Sequence, residues 1–443
     1  MRRVGSPLPK YLLGVFLGMV APLSGTAQEV KSPNLPTYPI EMTEGSCTPE
    51  SYSFLGELIG EARVVALGEA SHGTGTITEH KRCLITYLVE QRGFSVVAFE
   101  AAYTLTDNID AYIQGDRDDL APQLGSFAFY AYGTEEVYDF FAWARAYNLA
   151  HPAGERFHVV GVDAYAFQET ADDVLDFIEL ADPTFLDAAR SAYAGINPAN
   201  DVSDIEGVRA VAERLTARRG VYLEKYSEVL VGRALHSAEA LVQHFINVSD
   251  SSRWRDKFMS DNVQALLESH EKVVLWAHNG HVVEGEVPFT TAGAYLAESL
   301  GDDYFSVAIT FGQGMNRRTV PARWVAEDCA EYGCTEEQKD SLENHSPLSR
   351  VDKVPLPRDG SLEAFLLERI GTNVFVDLRA DENLPTPLRS TIPMRWIGTV
   401  YKPGAYQLTD LSAFDALIFL GTVSAATDLQ AGNPFERNVN TNP

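Results

Sequence analysis

Arg63-Val64-Val65-Ala66-Leu67-Gly68-Glu69-Ala70-Ser71-His72-Gly73-Thr74 passes from a short apolar run into a turn rich in small and ionisable residues. The run is too short for a buried helix and rich in valine, which predicts a strand covered on both faces. Residues 78–92 then place Cys83, Leu84, Tyr87 and Leu88 at helical spacing, with Gly93 suited to the helix C-terminus. A second apolar run over residues 95–99 closes the pattern strand, helix, strand, the opening of a parallel βαβ unit.

Five more runs of the same kind follow, at residues 157–162, 272–277, 304–310, 373–378 and 416–420. From about residue 168 to 269 no strand-like run occurs. Val174, Leu175, Phe177 and Ile178, and later Leu235, Ala238, Leu241, Val242 and Phe245, keep helical spacing. The economical architecture is α/β: a doubly wound, mostly parallel sheet flanked by helices, with a helical insertion subdomain over one edge. The expected division is a signal peptide at residues 1–27, an extended, strand-poor N-terminal arm at 28–50, a first part of the core at 51–167, the helical insertion at 168–270 and a second part of the core at 271–443. Pro347, Pro355 and Pro357 argue against regular structure in residues 326–357.

At 45% hydrophobic and 22% charged residues the 443-residue chain has a globular composition. Its net charge of -27 opposes binding to nucleic acid or anionic lipid. Arg2, Arg3 and Lys10 precede an apolar run over residues 11–23 and the small residues Ser24-Gly25-Thr26-Ala27, the layout of a cleavable secretory signal. Its loss would remove three basic residues and no acidic one, bringing the balance to -30. We therefore expect an exported protein, periplasmic or secreted, with no membrane attachment after cleavage. Export to an oxidising compartment permits disulfides. The polar turn between Cys329 and Cys334 suits a local bridge, and Cys83, on an apolar helix face, is either a buried thiol or the partner of Cys47. Asn247-Val248-Ser249 and Asn344-His345-Ser346 match the glycosylation acceptor pattern.

In open parallel sheets ligands bind beyond the carboxyl ends of the strands. Here those ends carry Glu69, Ser71 and His72 after the first strand, Glu100 after the second, Asp163 after the third, and His278, Asn279 and His281 after the fourth. Each has a competing structural role. Glu69 and Asp163 could cap helices. Glu100, at the mouth of an apolar strand, must be paired, protonated or solvated. Two histidines at i, i+3 each require a hydrogen-bond partner. The chain has no Gly-x-Ser-x-Gly elbow for a serine hydrolase, and no lysine follows Gly73-Thr74-Gly75 as a phosphate loop requires. Glu69, Glu100, His72, His278 and His281 could ligate a metal, although no His-Glu-x-x-His signature is present. The remaining scheme is general-base hydrolysis, a histidine held by a carboxylate taking a proton from water that attacks an ester. In it His72 needs an orienting glutamate, and His278, His281 or backbone amides would serve the oxyanion. The aromatic residues Tyr165, Phe167, Tyr222 and Tyr226 suit a bulky, partly apolar ligand.

At these residues the sequence resembles the erythromycin esterase family. The resemblance is carried by residues 68–74, Glu79-His80-Lys81, Phe99-Glu100, Gly161-Val162-Asp163, residues 276–281, Arg395-Trp396-Ile397-Gly398 and residues 414–419, in that order. It implies an ester hydrolase that opens a macrolactone by activating water, without a covalent intermediate. By position it makes His72 the base, with Glu69 and Glu100 orienting it or the water, and His278 and His281 completing the catalytic pocket. Ser71, Lys81, Asp163 and Asn279 are expected on the substrate side. Some members have arginine where this chain has Lys81, and lysine lacks the planar fork for a bidentate contact. The expected partner is a small-molecule ester, with no cofactor and no bound metal. The alternatives are a metal-dependent hydrolase using the same cluster, or a non-catalytic binding protein on the same fold.

Overall fold

The computed structural model describes residues 36–40, 49–120, 124, 132–165, 168–194, 205–250, 253–285, 287, 289–320, 348–379, 384–398 and 405–429. The signal segment, Cys47, Phe167, Cys329, Cys334 and Asn344-His345-Ser346 lie outside these residues.

The strands are β1 Thr37–Pro39, β2 Val64–Leu67, β3 Val96–Ala102, β4 His158–Asp163, β5 Val273–Trp276, β6 Tyr304–Val320, β7 Leu348–Val354, β8 Val374–Asp377, β9 Thr391–Arg395, β10 Tyr406–Asp410 and β11 Ala416–Val423. Nine of them form one sheet in the order β1-β8-β11-β6-β2-β5-β3-β4, with β7 added to the far half of β6. The stretch from β11 to β4 is parallel throughout, while β8 and β1 add an antiparallel edge. This is the doubly wound, mostly parallel α/β sheet that the apolar runs predict.

The runs are apolar throughout because both faces are covered. Alternate residues supply opposite layers: Val65, Leu67, Val97, Phe99, Val274 and Trp276 join one core cluster, and Val64, Ala66, Val96, Ala98, Val273 and Leu275 the other. Helix Gly75–Arg92 packs its Ile77, Leu84 and Leu88 into the first layer and ends at Gly93, whose φ of 74° lets its N–H reach the Leu88 carbonyl. Between β4 and β5 the described elements are all helical, and Val174, Phe177, Leu215, Leu241 and Phe245 build a third cluster of their own.

The arm contributes a single three-residue strand, β1, at the sheet edge, where Pro39 is tolerated because one side of an edge strand is unpaired. One reading of the sequence needs correction. Leu348–Val354 forms β7, antiparallel to Gly314–Val320, so β6 runs ten residues beyond the expected end at Thr310. Pro347 and Pro355 flank that strand and do not interrupt it. Cys83 is disulfide-bonded, so it is not a free thiol. Asn247 is fully buried in helix Glu228–Ser249, which leaves that acceptor pattern inaccessible in the folded chain.

Strand order determines what meets at the rim. β5 enters between β2 and β3, so the carboxyl ends of β2, β5, β3 and β4 lie side by side at about 4.8 Å spacing. Glu69 and His72, then His278 and His281, then Glu100, then Asp163 therefore stand on consecutive strands.

Candidate active site

The turn after β2 is held from several sides. Gly73 approaches the backbone of β6 so closely that a Cβ there would lie 1.7 Å from the Arg317 carbonyl oxygen. The Gly73 carbonyl accepts from Arg317 N–H at 2.9 Å, and the Ala70 carbonyl accepts from Ile397 N–H at 2.8 Å. Ser71 Oγ donates to Asn316 Oδ1 at 2.5 Å and accepts from Gly73 N–H at 3.1 Å. Thr74 Oγ1 donates to the same Asn316 oxygen at 3.1 Å. Ser71 is thus buried and committed within the turn.

This bracing presents His72 over Glu69. His72 Nδ1 lies 2.5 Å from Glu69 Oε1, while Glu69 Oε2 accepts from Lys81 Nζ at 2.6 Å and from Trp276 Nε1 at 3.1 Å. Burial opposes ionisation of Glu69, but Lys81 and His72 outweigh it and hold the carboxyl below its usual range. A carboxylate at Nδ1 fixes the proton there and leaves Nε2 of a neutral His72 as the basic nitrogen. Lys81 is fully buried, with a further bond to the Ala277 carbonyl at 3.3 Å, and burial pushes its pKa down to about 8 against the pull of Glu69.

His278 caps the short helix Asn279–Val282, accepting at Nδ1 from Gly280 N–H at 3.0 Å. Its proton therefore sits on Nε2, which is buried and finds no partner among the described residues. Burial and the neighbouring His72 push its pKa down to about 3, so the ring is neutral near pH 7. The rings of His72 and His278 are 5.3 Å apart. Trp396 stands edge-on to His278 at 5.4 Å, and its ring fills the space that a Cβ on Gly280 would need, 2.7 Å away.

Behind these lies an ion network. Glu100 Oε2 accepts the His278 backbone N–H at 2.8 Å, and Oε1 pairs with Arg255 at 2.8 Å and His281 Nε2 at 3.2 Å. Burial again opposes the charge, but His281, His72 and Arg255 keep Glu100 well below its usual range. His281 Nδ1 meets Asp256 Oδ1 at 2.8 Å. Burial would lower the His281 pKa, but Glu100 and Asp256 prevail and raise it to about 10, so it is an imidazolium near pH 7. Arg255 grips Asp163 with two bonds, 2.9 and 2.6 Å.

The open space is a cavity of about 280 Å³ lined by His72, Glu100, His278, His281, Arg255, Tyr132, Tyr165 and the Trp396-Ile397-Gly398 turn, among the described residues. Of the nine site residues named from the sequence, His72, Glu100, His278 and His281 line it, and Glu69 sits directly beneath His72. Ser71, Lys81, Asp163 and Asn279 stand behind the wall: Asn279 bridges the Ile309 backbone with both amide atoms, 2.9 and 3.1 Å, and Asp163 is occupied by Arg255 rather than capping a helix. Tyr222 and Tyr226 pack within the insertion away from the cavity. Arg255 and Asp256 were missed, because Arg253-Trp254-Arg255-Asp256 reads as an ordinary charged helix start. Among the described residues, no three His, Cys, Asp or Glu side chains are grouped to hold a metal ion.

The sequence profile described as erythromycin esterase matches residues 89–423, a span containing Glu100, His278 and His281. The chain belongs to the erythromycin esterase family. It is similar to the type II erythromycin esterase of Escherichia coli, 26% identical over 426 residues, covering 86% of this chain and 94% of that protein. It is also 20% identical to the putative hydrolase YbfO of Bacillus subtilis, over 74% of this chain and 77% of that one. In fold it resembles a histidine-to-asparagine variant of the erythromycin esterase EreC in its open conformation, with a TM-score of 0.62, 18% identity, and 85% and 94% of the two chains covered. Membership of the erythromycin esterase family makes this chain a family hydrolase whose substrates are small molecules.

Proposed function

We propose that the protein hydrolyses a carboxylic ester, a macrolactone or an ester of similar bulk, by direct attack of water activated by His72. The observation that carries the reading is the pairing of a carboxylate-held His72 with a neutral His278 whose Nε2–H is unpartnered beside the same cavity. In this scheme His72 Nε2 takes a proton from water as the oxygen attacks the carbonyl carbon. His278 Nε2–H donates to the oxygen that gains negative charge, where a dry, pre-placed donor is worth most. Collapse breaks the bond from carbonyl carbon to alkoxy oxygen, and the imidazolium of His72 returns its proton to the leaving alkoxide. Glu69 stays ionised throughout and stabilises that imidazolium. Ser71 has no part as nucleophile, since its hydroxyl donates to Asn316 within the turn. Residues 1–27 support an exported location for this reaction, and the acidic surface is compatible with a cationic substrate.

The test is to incubate the purified mature protein with a panel of macrolides and simple esters and follow each by mass spectrometry. Addition of one water to a lactone, or cleavage of an ester into acid and alcohol, is the expected result. No hydrolysis anywhere on the panel, with ligand binding retained, would replace catalysis by capture of a ligand on the same fold.

A further inference from the structure

Arg255 begins helix Arg255–Leu266, the last helix before β5, yet it lines the cavity formed by the strand ends. Its guanidinium meets the ends of three different strands. Nε and one Nη donate to both oxygens of Asp163, the last residue of β4, and the same Nη donates to Glu100 Oε1 in β3 at 2.8 Å; the other Nη lies 3.1 Å from the protonated His281 Nε2 beyond β5, which shares Glu100 Oε1 with Arg255 and accepts nothing from it. The ring of Tyr165 faces it at 5.2 Å. The two oxygens of Glu100 have separate tasks: Oε1 faces Arg255 and His281, while Oε2 takes the backbone N–H of His278. A carboxylate with one oxygen clamped cannot turn the other away from its donor, so the guanidinium constrains the His278 backbone through Glu100.

We propose that Arg255 is a positioning residue of the site: seated by the helical insertion, it locks Glu100 and through it the His278 main chain, and so places the His278 Nε2–H against the substrate carbonyl. This rests on the hydrolytic role given to His278 above. The insertion then contributes to the catalytic geometry through Arg255. Lysine cannot replace this arginine, because a single ammonium does not offer the planar fork that serves Asp163 and Glu100 together.

The experiment uses the full mature chain as wild type, Arg255→Lys and Arg255→Gln, with each variant's fold checked by its thermal transition. Amide hydrogen exchange is read at His278 and at Ala277, whose N–H is bonded to the Leu67 carbonyl independently of Glu100. Steady-state kinetics are taken on an ester from the panel that wild type cleaves. The proposal predicts at least tenfold faster exchange at His278 with Ala277 unchanged in both variants. It also predicts a fall in kcat of about 10²-fold in Arg255→Lys, the order seen when one oxyanion donor is lost, with KM within about threefold. Unchanged exchange at His278, or a kcat in Arg255→Lys within threefold of wild type, would overturn it. If wild type cleaves no ester, the hydrolytic reading fails separately, and exchange at His278 against Ala277 still decides whether Arg255 fixes that main chain.

Discussion

Replacing Lys81 by methionine should destabilise the protein more than removing Lys81 and the charge of Glu69 together. Both groups are buried, their charged atoms are 2.6 Å apart, and the ammonium has one further acceptor, the Ala277 carbonyl. The pKa of Lys81 stays at about 8, below the ordinary 10.5, despite Glu69. Desolvation therefore exceeds the attraction by about 3 kcal/mol for the charged lysine. Removing the lysine alone strands an anion under His72, and breaking a buried pair in this way costs about 3 to 5 kcal/mol. In Glu69→Gln the stranded group is the ammonium, and the cost is of the same order. In Lys81→Met/Glu69→Gln neither charge remains, so the loss should be smaller than in either single variant, which makes the coupling energy larger than either single cost, more than about 3 kcal/mol. The sign of the pH dependence follows. Below pH 8 both folded and unfolded chains hold the Lys81 proton, whereas between pH 8 and 10.5 only the unfolded chain does. This group therefore makes stability rise with pH across that window by about 1.4 kcal/mol per pH unit, a component that Lys81→Met lacks. Urea unfolding midpoints of the four proteins at pH 7 and pH 9 measure all of this. A single-variant cost below about 1 kcal/mol, or additive effects in the double variant, would refute the reasoning.

Other consequences are as direct. His278 and His80 are buried and neutral, with pKa values near 3 and 4 caused by burial; their contribution to stability is complete above pH 6.5 and is lost as pH falls, by about 3 kcal/mol per pH unit between pH 6 and 4, which urea midpoints in that range will show as uptake of two protons. His281 acts oppositely: its pKa is raised to about 10, so its contribution is complete below pH 6.5 and is lost as pH rises through 10, and the difference in midpoint between wild type and His281→Gln should narrow over that range. Gly73→Ala places a methyl carbon 1.7 Å from the Arg317 oxygen, and should cost at least about 2 kcal/mol of stability together with most of the activity. Ser71→Ala should retain kcat within about tenfold, since the hydroxyl braces a turn; loss of about 10³-fold or more would restore serine as a nucleophile.

Much of this architecture was legible in the sequence. The seven apolar runs became β2, β3, β4, β5, β6, β8 and β11 because strands covered on both faces leave an uninterrupted signature. Strand order was not legible, since nothing local in Val273–Trp276 says that β5 enters between β2 and β3. That insertion is what brings His278 beside His72. The rule that ligands gather at carboxyl strand ends located Glu69, His72, Glu100, His278 and His281, but it could not separate wall from foundation. Ser71, Lys81 and Asn279 follow strands or face the same end, yet their bonds go to Asn316, Glu69 and the Ile309 backbone. Arg255 was hidden for the opposite reason: it lies in a helix about 90 residues from Asp163 in sequence, and only tertiary packing reveals its partners. β7 is hidden in the sequence because Pro347 and Pro355 bound it, and proline so close to a run argues against regular structure.

The account depends on His72 acting as the base for water. Its most direct test is the turnover of His72→Ala on an ester that wild type cleaves, with substrate affinity measured separately by calorimetry. A fall in kcat of about 10²- to 10⁴-fold with affinity held within a few-fold is the predicted result, and turnover within threefold of wild type would contradict it.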